Sequence, residues 1–377
     1  MEQFNICIIK PNKDSFSETF VREHIERLPG NKKVLYGGVF PVYDHEGKYL
    51  IRSFLGLLSY LIQKKVFNKQ DIKVRTRALA KYLTEQKIDV VFAEYGMVGA
   101  LVTEACQIAN VPLVIHYHGA DVHHRETVTL YHELYQRSFN YASSLIAVSG
   151  DMVKALIGLG APENKLVNAS CGVDVDAFPQ LDISKTGRTF LAIGRFVEKK
   201  SPGSVVQAFK IVLDKFPDAT LAIVGQGPLF EETKKIIAHL QLEQSVALLG
   251  VLNSAQIKEL FAKTRCFVQH SVTAANGDME GTPVTILEAG SSGLAIVSTQ
   301  HAGIKEAVIN GETGYLVPEH DIQGMANYMI KIAADVNLAV TLGAKEATYI
   351  RENYDIKSRI DTITKLLKQA IATHKHD

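Results

Sequence analysis

A chain of 377 residues exceeds the about 100–200 residues of one ordinary core and falls short of three, so two domains are expected. Apolar residues make up 46% and charged residues 21%, which excludes the disordered, collagen-like and coiled-coil classes. Lys and Arg number 41 against 40 Asp and Glu, so no overall field draws the chain to nucleic acid, and any anion site has to be local.

Phe4 to Ile9 is an apolar stretch that ends at Lys10 and Pro11; it reads as a first strand, Asn5–Ile9, and is too short for a signal-peptide core. Ser17-Glu18-Thr19-Phe20 leads into a helix over Thr19–Leu28, and a strand follows at Lys33–Tyr36. The stretch Phe54–Lys87 opens Phe54-Leu55-Gly56-Leu57-Leu58 and then carries Lys64, Lys65, Lys69, Lys73, Arg75, Arg77, Lys81 and Lys87 against Asp71 and Glu85. It is either a solvated basic face or a segment lying on an anionic membrane, where a lipid-linked acceptor would be met. A helix over Arg75–Gln86 closes it. Strands at Val90–Glu94, Leu113–His116 and Ser144–Val148 come next, with a helix over Val98–Asn110 between the first two.

Around Asp174–Arg188 the pattern lapses into Val175-Asp176-Ala177-Phe178-Pro179 and a polar run, so 1–180 and 186–354 are predicted as separate lobes. Strands at Thr189–Ile193, Thr220–Val224, Val246–Leu249, Cys266–Gln269, Ala295–Ser298 and Gly314–Val317 then alternate with helices near 202–216, 229–240, 254–262, 284–292, 303–309 and 321–335. A final helix, Lys357–Ala372, lies in a tail (355–377) expected to cross back to the N-terminal lobe. This alternation is that of βαβ units and parallel sheets, so the class is α/β with two Rossmann-like doubly wound lobes. Such sheets bind ligands beyond the carboxyl ends of their strands, which places the expected site in a cleft between the lobes. Cys7, Cys106, Cys171 and Cys266 stand singly and read as buried free thiols. No apolar run approaches the roughly 20 residues of a transmembrane helix, and a cytoplasmic location is expected, with peripheral attachment to the membrane left open.

The densest chemical signal is Asn276-Gly277-Asp278-Met279-Glu280-Gly281-Thr282-Pro283-Val284-Thr285-Ile286-Leu287-Glu288. Pro283 suits the first turn of a helix and Thr282 the position before it, and a helix N-terminus there seats a diphosphate or sugar hydroxyls. Glu280 would then grip sugar hydroxyls and Glu288 a ribose diol, unless both are ordinary helix-end charges. Gly194-Arg195-Phe196-Val197-Glu198-Lys199-Lys200 follows a strand, and Arg195 with Lys200 either neutralises a leaving diphosphate without a metal or forms a solvated basic loop. Neither Asp174 with Asp176 nor Asp278 with Glu280 gains a third hard ligand, so no metal is expected. Gly225-Gln226-Gly227-Pro228 lacks the third glycine of a dinucleotide fingerprint, Phe230 standing in its place, and reads as a tight turn lining a nucleotide pocket. His116-Tyr117-His118-Gly119-Ala120-Asp121, with His123 and His124, has no zinc spacing. His118 is read as a site histidine approached over Gly119 and oriented by Asp121.

These runs, with Ala302-Gly303-Ile304-Lys305-Glu306 and Asn310-Gly311-Glu312-Thr313-Gly314, together resemble glycosyltransferase family 4, retaining enzymes of the GT-B fold. Ser17-Glu18-Thr19-Phe20, His118-Gly119-Ala120-Asp121 and Ser170-Cys171-Gly172-Val173-Asp174 resemble its colanic-acid and exopolysaccharide branch. The resemblance implies a UDP- or GDP-type sugar donor as co-substrate, a saccharide or lipid-linked acceptor and no further cofactor. It assigns Arg195 and Lys200 to the donor diphosphate, Glu288 to the ribose, and Glu280 with the backbone of Gly281, Thr282, Pro283 and Val284 to the donor sugar. Gly194 and Gly225 line the donor, and His118 falls where the family meets the transferred sugar. Ser17, Glu18, Gly119 and Asp121 are candidate acceptor or donor contacts. Two departures stand out: Ser201 replaces the family's glycine, and Asn12–Ser17 replaces a Gly-rich loop. A sugar-nucleotide 2-epimerase of the same fold and a non-catalytic sugar-nucleotide binder remain as alternatives, the first separable because it converts donor without acceptor.

Overall fold

The computed structural model describes residues 4–13, 18–65 and 72–374. A first sheet holds β1 (Asn5–Ile9), β2 (Asn31–Leu35), β3 (Val90–Glu94), β4 (Leu113–Tyr117), β5 (Ser144–Ala147) and β6 (Leu166–Asn168). All pair in parallel, in the order β2-β1-β3-β4-β5-β6. A second holds β7 (Thr189–Ile193), β8 (Thr220–Val224), β9 (Val246–Leu248), β10 (Cys266–Val268), β11 (Ala295–Thr299) and β12 (Tyr315–Val317), again all parallel, ordered β12-β11-β10-β7-β8-β9. Strands β3, β4 and β11 are buried at every position, as expected of parallel strands covered on both faces, and each opens on an apolar run rather than an alternating pattern and carries buried polar residues, Glu94, His116, Ser298 and Thr299, towards its carboxyl end.

The winding decides where a site can form. From β7 the second sheet runs outward through β8 to β9 on one side and from β10 through β11 to β12 on the other, so it reverses between β7 and β10. The loops that leave the carboxyl ends of these two neighbours open side by side, the arrangement that makes a crevice in an open α/β sheet. In the first sheet the reversal falls between β1 and β3. Phe190, Phe209, Phe267, Ile286 and Ile296 join one apolar cluster that fixes the second sheet against its helices.

The chain divides into two compact units, one of residues up to Ala169 together with those from Ile360 onward, the other Ser170–Arg359. The stretch 170–180, expected with the first lobe, counts with the second. Its backbone is tied there: the Val173 N–H donates to the Tyr354 carbonyl at 2.9 Å, and the Ser291 hydroxyl to the Phe178 carbonyl at 2.7 Å. The last helix, Ile356–His374, begins in the second unit and continues into the first.

Several elements were not foreseen. The helix Arg125–Tyr141 buries Tyr131, Tyr135, Ser138 and Phe139, a helical stripe built largely of tyrosine that reads as polar in sequence. Val336–Asn353 buries Ala339, Leu342, Gly343, Glu346, Ala347 and Ile350, a face of small residues around a carboxyl. The basic segment resolves into the helices Phe54–Lys65 and Lys73–Glu85, with 66–71 outside the described residues. All four cysteines are buried and none is in a disulfide, and among the described residues no helix is long and apolar enough to cross a membrane.

Candidate functional site

In the second unit the site grows from the loop after β7. Gly225 has φ +137°, and a Cβ there would stand 1.9 Å from the Gly194 carbonyl oxygen; one on Gly227 would stand 2.5 Å from that of Phe196. The Gly225-Gln226-Gly227 turn is thus the wall against which 194–196 lies, and side chains are excluded from it by backbone approach. Beyond it the chain tightens into a 3-10 turn, Glu198–Lys200, and passes through Ser201 at φ 37° before the helix Pro202–Lys215. Where serine replaces the family's glycine, the backbone therefore still takes the left-handed conformation that glycine favours.

The loops after β7 and β10 are fastened together. Lys199 Nζ donates to Asp278 Oδ1 at 3.0 Å and to the Met279 carbonyl at 2.9 Å, and Glu198 Oε1 accepts the Ala275 N–H at 2.8 Å. Lys200 lays its alkyl stem across Gly194 and brings Nζ to 3.2 Å from Glu280 Oε2. Burial pushes the Lys200 ammonium down from its ordinary value while Glu280 opposes that, with Lys199 and Arg195 adding like charge. Burial alone would raise the Glu280 carboxyl, but Lys200 and Lys199 hold it below its usual range. Glu280 Oε1 is buried with no hydrogen-bond partner. Arg195 is exposed beside this pair.

The backbone around Glu280 is equally fixed. Its N–H donates to His301 Nε2 at 3.1 Å, and the Gly303 N–H donates to the Gly281 carbonyl at 3.0 Å. A Cβ on Gly303 would stand 2.5 Å from Thr282 Oγ1. The helix begins at Val284, as read from sequence, but Pro283 is its N-cap instead of lying in its first turn, Thr282 lies outside it, and no side chain caps it. The reason is Pro283 itself, whose extended backbone (ψ 115°) presents its carbonyl to the Ile286 N–H at 3.1 Å. Glu288 sits one turn further in and is half-buried.

The remaining predicted residues lie in the first unit. Asp121 is fully buried, and its carboxylate accepts the backbone N–H groups of Gly96 at 2.8 Å, His118 at 3.0 Å and Gly119 at 2.8 Å. It clasps the chain after β4, which agrees with the reading of Asp121 as the residue that orients His118. Gly119, at φ +138°, makes the turn into the helix Ala120–His123. Glu18 Oε1 accepts from the Asn12 side-chain amide at 2.7 Å and the Tyr95 hydroxyl at 3.1 Å. Ser17 lies outside the described residues.

His118 donates Nε2–H to Glu94 Oε2 at 2.8 Å, its side chain is 4% exposed, and the Phe20 ring lies against it at 4.3 Å. Glu94, fully buried, also accepts from His24 Nδ1 at 2.7 Å and has His116 Nδ1 at 3.5 Å. Burial alone would raise Glu94, yet the three histidines hold it well below the usual carboxylate range. Burial with the neighbouring His118 pushes His116 down to about 3. Ligand atoms of His24, Glu94 and His116 lie within 4.8 Å of one another. The 2.7 Å His24–Glu94 distance is that of a shared proton, since two ligands of one tetrahedral zinc stand about 3.3 Å apart.

Glu94, His24, His301 and Glu319 were missed. Each stands alone in sequence, and only the parallel strand order brings them to their partners.

Comparison with known proteins agrees with this architecture. The model for glycosyl transferases group 1 matches residues 175–349, and that for Glycosyltransferase Family 4 matches 64–177. The amylovoran biosynthesis glycosyltransferase AmsK of Erwinia amylovora is 30% identical over 72% of this chain and 68% of its own length. The putative colanic acid biosynthesis glycosyltransferase WcaL of Escherichia coli K12 is 29% identical over 64% of this chain and 61% of its own length. The crystal structure of Anabaena HepE in complex with UDP and glucose superposes with a TM-score of 0.76 at 18% identity, covering 97% of this chain and all of that one. Two doubly wound parallel sheets, the wired loops at the second sheet's reversal point and these matches in order along the chain establish that it belongs to the group 1/family 4 glycosyltransferases.

Proposed function

We propose that this glycosyltransferase moves a sugar from a UDP- or GDP-type donor to a saccharide or lipid-linked acceptor in the assembly of a cell-surface polysaccharide, with retention at the anomeric carbon and without a metal ion. The observation that carries the reading is the buried Lys200–Glu280 pair at 3.2 Å with Glu280 Oε1 left unpaired, set between the two loops where the second sheet reverses. An unpaired buried acceptor calls for a donor, and a sugar hydroxyl supplies one. Arg195, Lys200 and the first amides of the helix Val284–Ser291 then face the diphosphate, and Glu288 the ribose. The relatives named for amylovoran and colanic acid synthesis support the polysaccharide assignment, and the UDP and glucose in the HepE crystals support a nucleotide-sugar donor.

In the reaction the bond between the anomeric carbon and the diphosphate oxygen breaks while the acceptor oxygen bonds to the same face. The acceptor's proton passes to the departing phosphate oxygen, so no protein nucleophile is required. What the protein supplies is fixed positive charge where the leaving group becomes more negative. The test is the anomeric configuration of the product by NMR in the presence of EDTA. Retention is expected with full activity; inversion, or loss of activity on chelation, would overturn the reading.

An anionic bilayer is the proposed occupant of the helix Phe54–Lys65. Phe54 (79% exposed), Leu55 (77%), Leu58, Leu61 and Ile62 are uncovered, with Arg52, Lys64 and Lys65 exposed around them. This combination suits headgroup contact and shallow insertion. Co-sedimentation with phosphatidylglycerol vesicles, lost in Leu58→Glu and weakened by salt, is expected; no sedimentation at any salt would end the proposal.

A further inference from the structure

We infer that His301 and Glu319 form a positioning dyad for Glu280, an inference that rests on the donor site proposed above. A backbone N–H can only donate, so the Glu280 N–H at 3.1 Å from His301 Nε2 leaves that nitrogen without a proton. The ring is then neutral with its hydrogen on Nδ1, and Nδ1 faces Glu319 Oε1 at 2.6 Å. The other carboxylate oxygen of Glu319 accepts the Thr273 N–H at 2.7 Å. The imidazole is fully enclosed, so water cannot replace either bond.

The connectivity explains why such a device is needed. Thr273 and Glu280 both belong to the long irregular stretch after β10, His301 follows β11, and Glu319 follows β12. Glu319 pins the start of that stretch and, through His301, its end. The Lys199 side chain holds the middle, at Asp278 and Met279, and its carbonyl accepts the Val272 N–H near the start at 2.9 Å. Without the dyad the Glu280 amide is a buried donor with no acceptor, and the carboxylate it carries loses its fixed distance to Lys200. The His301 ring also holds the Glu319 carboxyl below its ordinary value against the opposing effect of burial.

Two substitutions separate positioning from mere packing. Gln places its side-chain oxygen where Nε2 of histidine sits and so keeps the acceptor for Glu280. Asn places its amide at Nδ1 and keeps only the partner for Glu319. With the full-length enzyme and its donor, His301→Gln is expected to retain kcat within about fivefold, and His301→Asn and His301→Ala to lose about 10–100-fold with less change in KM, the range for a small misplacement of a site group. The reverse order, Asn active and Gln inactive, would overturn the inference. Independently of activity, nitrogen NMR of histidine-labelled enzyme, with His301 assigned by its disappearance in His301→Gln, is expected to show the proton on Nδ1; a proton on Nε2 would overturn it outright. If Glu280→Gln leaves turnover unchanged while the Nδ1–H signal is present, the donor-site reading falls and the catalytic half of this inference with it.

Discussion

Glu346 offers the sharpest quantitative test of the fold beneath the site. Its side chain is fully buried on the helix Val336–Asn353, against Gly290 at the end of the donor helix, where a Cβ would stand 2.9 Å from Glu346 Cγ. Burial dominates its surroundings, and the Thr313 side chain opposes that effect only in part. Burial pushes the group from 4.5 up to about 8, so the folded protein keeps a proton that the unfolded chain releases. Folding stability therefore falls as pH rises from about 4.5 and stops falling near 8. Moving a carboxyl across that interval corresponds to an upper figure of about 5 kcal/mol, and relaxation of the surroundings brings the observable effect into the range of about 2–5 kcal/mol. Glu346→Gln removes the titration while keeping the volume. Urea unfolding of both proteins from pH 5 to 9 should give curves that lie nearly parallel at the acid end and separate in favour of the variant by pH 8. Curves that keep a constant separation over the whole range would refute the reasoning.

Other substitutions probe the same frame. Ser201→Gly relieves a left-handed serine at the loss of its 2.7 Å contact with the Ser204 hydroxyl; a gain of about 0.5–1 kcal/mol in urea unfolding is expected, and a loss of that size would contradict the backbone geometry. Gly225→Ala forces a methyl to within 1.9 Å of the Gly194 oxygen, so a loss of more than about 4 kcal/mol is expected, visible as a fall in the thermal midpoint; an unchanged midpoint would show that the loops do not touch. Glu94→Gln should destabilise by about 2–4 kcal/mol at neutral pH, because His24 and His118 lose a charged buried acceptor. Since the Glu94 carboxyl sits well below its ordinary 4.5, its contribution is complete above that value and is lost as pH falls through the folded value. The gap between the two proteins should therefore narrow in acid, and a gap that widens there would reverse the assigned shift.

What could be read from sequence was whatever is local. Runs such as Val90–Ala93 announce buried parallel strands because successive positions are apolar, and Gly194–Lys200 and Glu280–Glu288 keep their spacing because each lies within one loop or one helix start. The cap was assigned to Thr282 instead of Pro283 because proline fits either side of a helix start. The orienting role of Asp121 was legible because it stands three residues after His118, but its bond to the Gly96 amide, which comes from the neighbouring strand's loop, was not. Glu94, His24, His301 and Glu319 were invisible because what joins them is strand order. Glu94 ends β3 and His118 follows β4, neighbours in space that lie 24 residues apart. His301 and Glu319 follow β11 and β12, and no spacing rule links either to Glu280. The helix Arg125–Tyr141 escaped because tyrosine carries its core face, and Val336–Asn353 because a protonated glutamate sits in the middle of its own.

The central claim is that fixed positive charge at Arg195 and Lys200 drives departure of a nucleoside diphosphate from a sugar held by Glu280. The most direct measurement is release of nucleoside diphosphate from a panel of UDP- and GDP-sugars, with and without saccharide acceptors, by the native protein and by Arg195→Ala and Lys200→Ala. Acceptor-dependent release from one donor, lowered about a hundredfold or more in each variant, is the predicted result. Unchanged turnover in both variants, or conversion of the donor with no acceptor present, would contradict it.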